Sequence, residues 1–211
     1  MSTFRHQSAL DGALDALKKD LLQGGGAEIS TVRNYNFAIL PYAPEDEFKL
    51  RQDISELSGA LRDAGWHPAT IALHALLLKR ITAQGDDFVA AMLRREKQLA
   101  GAADPWRGLR ALKDRIVTLI EGPDGIAKDV IAEVQRILAE SPNRDRTVIF
   151  LGRAGALYPF FRTSALLKHV AGHTDNVPVI LLYPGKIVGE SGLSFMGLLP
   201  ADRDYRPRIY R

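Results

Sequence analysis

The sequence predicts an α/β domain of three layers: a mostly parallel sheet flanked by helices. Three observations lead there. Between Thr147 and Gly185, two short apolar runs, TVIFLG and VPVILLYPG, each end in a glycine-containing polar turn, and a helical segment lies between them. This is the pattern of a β-α-β unit. A third apolar run, Tyr35 to Leu40, is followed by another amphipathic helix. Helix-period and strand-like segments then alternate along most of the 211 residues, which suits a single domain over 1–211.

The elements follow in order. Leu10, Leu14, Leu17 and Leu21 make one apolar stripe at helical spacing, closed by Gly24-Gly25-Gly26. YNFAIL reads as a buried strand stopped by Pro41. Pro44 followed by Glu45, Asp46 and Glu47 is a helix start, because proline suits the first turn and acids suit the positive end of the dipole. Leu50, Ile54, Leu57 and Leu61 carry that helix to Gly65. Trp66-His67-Pro68 reads as a turn, and Thr70 to Leu77 fits a strand or a helix equally well.

Asp86 to Leu99 is helical, and Asp104-Pro105-Trp106 starts another helix with the stripe Leu109, Leu112, Ile116 and Leu119. Gly122-Pro123 breaks it, and Val130, Val134 and Ile137 mark the next, closed by Ser141-Pro142-Asn143. Residues around 86–140 therefore form a helical insertion or cap. After the β-α-β unit, ADRDYRPRIYR reads as a short edge strand, since Pro207 has no N–H for a central ladder.

Composition excludes several function classes. Cysteine is absent, which removes disulfides, thiolate metal sites and thiol catalysis. No apolar run suits a signal peptide or a membrane span, so a soluble cytoplasmic protein is expected. The net charge is +3, but residues 141–211 hold 10 Lys or Arg against 5 Asp or Glu, leaving 18 against 20 elsewhere. A basic C-terminal third is either a solvated surface or a face for nucleic acid, in which case Arg144, Arg146, Arg203, Arg206 and Arg208 must share one side.

The usual reactive motifs are missing. The loop after the first strand is PYAPEDE, with three acids and neither the glycines nor the lysine of a phosphate loop. Gly185-Lys186 is followed by Ile187, not Ser or Thr. Gly152-Arg153 stands where an ATPase places a magnesium-holding acid. The expectation is an α/β core related to the P-loop ATPases but without the P-loop. His169 and His173 have zinc-like spacing but no third ligand nearby, and read as a helix end. His74 reads as a hydrogen-bonded core histidine. Gly189-Glu190-Ser191-Gly192 lacks the strand-turn-helix context of a nucleophile turn and reads as a flexible loop.

Arg153 and Arg162 flank Tyr158-Pro159-Phe160-Phe161. Arginine forks interleaved with aromatics suit an interface hot spot or an anion site. The alternative is that the two phenylalanines pack inside while the arginines cap carbonyls. Tyr205, Arg206, Arg208, Tyr210 and Arg211 repeat this chemistry, either as an edge that accepts a partner strand or as a charged edge that prevents pairing.

The blocks VIFLGRAGALYPFFRTSALL and VPVILLYPG, the tyrosine-arginine terminal strand and the earlier YNFAILPYAPEDEF block together resemble the BrxB family of bacterial BREX phage-exclusion systems. The resemblance implies a small accessory protein of machinery that methylates host DNA and blocks phage replication. That machinery includes a methyltransferase, a large ATPase and the alkaline-phosphatase-like protein PglZ. It implies a non-catalytic adaptor without cofactor or metal, with PglZ as partner and DNA contacted directly or through the complex. The partner-binding residues expected are Arg153, Tyr158, Arg162, Tyr183, Arg206 and Arg208.

Overall fold

The computed structural model describes residues 8–23, 29, 36–100, 104, 106–161, 163–170, 172–202 and 207–211. Gly24-Gly25-Gly26, Tyr35, Pro105, Arg162, Arg203, Tyr205 and Arg206 lie outside the described residues. The elements run α1 (Ala9–Leu22), β1 (Phe37–Tyr42), α2 (Glu47–Asp63), β2 (His67–Ala72), α3 (Leu73–Thr82), α4 (Asp86–Ala100), α5 (Trp106–Ile120), α6 (Ile126–Glu140), β3 (Thr147–Gly152), α7 (Thr163–Val170), β4 (Val179–Val188), β5 (Gly192–Phe195) and β6 (Arg208–Ile209).

Five strands form a parallel sheet in the order β2-β3-β4-β1-β6, and β5 pairs antiparallel with the far end of β4. The sheet has an apolar layer on each side. Ala38, Leu40, Tyr42, Val148, Phe150, Ile180 and Leu182 pack with α1 and α2. The alternate residues Phe37, Ile39, Ile149, Leu151, Val179 and Leu181 pack with α3, α6 and α7. Strand periodicity sends successive side chains to opposite faces, so strands apolar throughout need helices on both. The expected three-layer α/β architecture is therefore present.

Four local readings need correction. β1 runs through Pro41 to Tyr42. The Ile39 carbonyl accepts from Tyr210 N on the β6 side, so Pro41, two residues on, turns its missing N–H the same way, beyond the point where β6 ends. His67 and Pro68 open β2 instead of forming a turn; β2 is a sheet edge, where proline is tolerated. The ambiguous segment from Thr70 is both strand and helix, since α3 starts at Leu73 directly after β2. Gly189 to Gly192 closes a hairpin, because β4 continues past Gly185 to Val188 and folds back as β5.

Local chemistry explains the helix starts. Ser8 and Asp11 form a reciprocal capping box at α1, and the Asp104 carboxylate accepts from Trp106 N at the start of α5. No helix among the described residues is long and apolar enough to cross a membrane.

Candidate functional site

The connection after β1 leaves through α2 on one face of the sheet, whereas those after β2 and β3 leave through α3 and α7 on the other. Loops that diverge this way open a crevice at the carboxyl ends of the strands. A cleft of about 360 Å³ lies there, lined by Pro44, Glu47, His74, Arg153, Gly155, Ala156, Pro184 and Met196.

Its polar corner is tied together by Glu47, the first residue of α2. One carboxylate oxygen accepts from the Tyr42 hydroxyl at the end of β1. The other accepts from Arg153 Nη1 at 3.3 Å, from the loop after β3. Burial pushes the Tyr42 phenol far above its ordinary value, and the Glu47 carboxylate adds to the shift. The phenol is therefore a fixed hydrogen-bond donor.

Arg153 follows the last residue of β3 with φ 62, ψ 30, in the left-handed region. Met196, on the opposite wall, has φ 56. Such backbone is uncommon for non-glycine residues, and two instances line one cleft. Gly155 shapes the floor: a Cβ there would stand 3.4 Å from Met196 Sδ and 3.5 Å from Pro184 Cγ. His74, on the first turn of α3, has a buried Nδ1 with no hydrogen-bond partner among the described residues.

The sequence-expected residues scatter. Arg153 reaches the cleft, with its side chain 40% exposed. Tyr158 is half-buried, its ring centroid 6.3 Å from that of Phe195. Tyr183 is 0% exposed, with its ring edge-on to Phe195 at 5.5 Å, so it stands behind the cleft wall. Phe161 is buried and Phe160 packs against the core.

Arg208 lies on the edge strand β6. It pairs with Asp20 of α1 at 2.7 Å and covers the Tyr210 ring at 4.7 Å. Tyr210 also donates to Asp20, at 3.0 Å. The remaining two expected residues, Arg162 and Arg206, fall outside the described residues.

Sequence reasoning missed Tyr42, His74 and Met196 as neighbours of Arg153, and took Glu47 for a helix-start acid. The signal for Glu47 and Arg153 was present: both follow the ends of apolar strands. What the sequence withholds is the strand order that brings those ends together.

A family model described as BREX protein BrxB matches residues 69–209. The match begins within β2 and takes in the cleft residues from His74 to Met196; the YNFAILPYAPEDEF block lies ahead of it. No curated protein and no solved structure matches the chain. With most of its length matched, including every strand after β2, the chain belongs to the BrxB family and is a component of BREX defence.

Proposed function

We propose that this chain is a non-catalytic adaptor of the BREX machinery, acting in the cytoplasm, and that the cleft at the carboxyl ends of β1, β3 and β4 receives another component, PglZ. The observation that carries the reading is Arg153. Its fork is held at the cleft by left-handed backbone and a single ion pair, and it stays part-exposed beside apolar walls. Desolvatable arginine in an apolar pocket is the composition of an interface hot spot. Phe48, next to Glu47, is 79% exposed, and Leu198, two residues beyond Met196, is 70% exposed. Exposed apolar side chains beside a concave site favour protein contact.

Tagged protein purified from cells expressing the whole neighbouring operon, with nuclease and a salt series, tests this. PglZ is expected in fixed ratio after nuclease treatment. Arg153→Ala should lower its recovery about ten-fold, equivalent to ~1.4 kcal/mol, with the melting temperature held. Arg153→Lys should restore only part, because an ammonium lacks the planar fork. Undiminished recovery from both variants overturns the assignment of the cleft.

Nucleic-acid binding through the C-terminal third has less support. Arg144 donates to the Leu138 carbonyl at the end of α6, whereas Arg146 donates to the Ala64 carbonyl after α2, on the opposite side of the sheet. Arg208 is held by Asp20.

A further inference from the structure

A second concentration of positive charge lies on the α4–α5 hairpin. Residues 94–110 hold five Lys or Arg against two Asp or Glu, a net +3. The helices run antiparallel. Gly108 faces Glu96, so that a Cβ there would stand 3.2 Å from Glu96 Oε1, and Arg115 covers the Phe88 ring at 6.0 Å. This register gathers Arg94, Arg95 and Lys97 of α4 with Trp106 and Arg107 of α5 at the connecting end. All five are exposed.

The local acids neutralise this end only in part. Asp104 pairs with Arg110, caps Trp106 N and lies in the field of Arg107. Arg94, Arg95 and Lys97 make no ion pair among the described residues, and Glu96 is the one acid between them. Trp106 is 65% exposed, while the other tryptophan, Trp66, is buried. Four exposed cations and an uncovered indole at one end of the hairpin supply both parts of a single-strand platform: phosphate contacts and a stacking surface.

We infer that the connecting end of the α4–α5 hairpin binds single-stranded nucleic acid, with phosphates on Arg94, Arg95, Lys97 and Arg107 and a base stacked on Trp106. The site is separate from the cleft and stands whether or not the cleft receives PglZ. Charge complementarity selects a polyanion, and the exposed indole favours bases over an acidic protein.

The test is fluorescence anisotropy of a labelled oligothymidylate titrated with the full chain across a salt series. Four phosphate contacts predict a log–log salt slope of about −3, at ~0.7 per contact. Replacing both Arg94 and Arg95 with alanine should reduce that slope by about 1.4. Trp106→Ala should weaken binding about ten-fold and leave the slope unchanged. These residues are exposed, so circular dichroism melts of the variants should match the parent.

Absence of binding at about 50 mM salt overturns the inference, as does binding that the Arg94/Arg95 and Trp106 variants leave unaltered. Loss of nuclease-resistant BREX partners from the arginine variant, with oligonucleotide binding intact, also overturns it and assigns the surface to an acidic protein.

Discussion

Arg80 offers a quantitative test of how the helical layer is held together. It projects from α3 and reaches three backbone carbonyls: Leu119 O from Nη1 at 2.8 Å, and Asp124 O and Gly125 O from Nη2 at 2.7 and 2.5 Å. Its Nε and Nη2 also pair with the Asp129 carboxylate. One guanidinium thus joins α3, the end of α5, the following turn and the first turn of α6. Hydrogen bonds from a charged donor contribute about 1.5–3 kcal/mol each, but bonds sharing one donor group do not add fully.

Arg80→Met keeps most of the aliphatic stem and removes all of these bonds. The Asp129 carboxylate and the carbonyls recover some hydration because the site is only part-buried. The expected loss is about 3 kcal/mol, or about 6–12 °C in melting temperature for a domain of this size. Arg80→Lys should recover less than half, since an ammonium cannot serve this spread of acceptors. Urea titration monitored by circular dichroism measures both variants. A loss below about 1 kcal/mol for methionine, or full recovery by lysine, would refute the clamp reasoning.

Two further predictions concern the strand ends and the phenols. Gly185→Ala places a Cβ 2.2 Å from Ser194 O and 2.6 Å from Tyr183 Cε1, so the β4–β5 pairing must shift. A loss of at least ~2 kcal/mol is expected in the same urea assay. Burial raises the phenols of Tyr42 and Tyr210. The folded state therefore keeps protons that the unfolded chain releases near pH 10, so stability is full below that pH and declines as pH rises above it. Absorbance titration at alkaline pH should show these two tyrosines ionising only with unfolding, and Tyr210→Phe should make the decline shallower.

Much of the architecture was legible because strands buried on both faces are continuously apolar, as in TVIFLG and VPVILL, and because the helices carry single stripes. The misread segments share one cause: local residue type was overridden by position in the sheet. Pro41 and Pro68 look like strand breakers until Pro41 is seen to face past the end of β6 and Pro68 to lie on the edge strand β2. The β4 extension was hidden because Lys186, Ile187 and Val188 are exposed and lack a core pattern.

The cleft was legible only through Arg153. Its companions come from segments far apart in sequence, and Tyr183 lies in the part of β4 that is buried on both faces. The basic hairpin end escaped notice because its charge was averaged with the acidic remainder of the first 140 residues.

The strand order also has a consequence for biosynthesis. β1 lies between β4 and β6, so it has no sheet neighbour close to it in sequence. Its first hydrogen-bonded partner is Val179, opposite Phe37, about 140 residues later, a separation that slows closure of the sheet. At ~5–20 residues per second, an apolar FAILPY segment waits unpaired for on the order of ten seconds on each translating ribosome. In the interval the stripes of α1 and α2 are its nearest cover, and a chaperone that binds extended apolar chain would compete for the same segment.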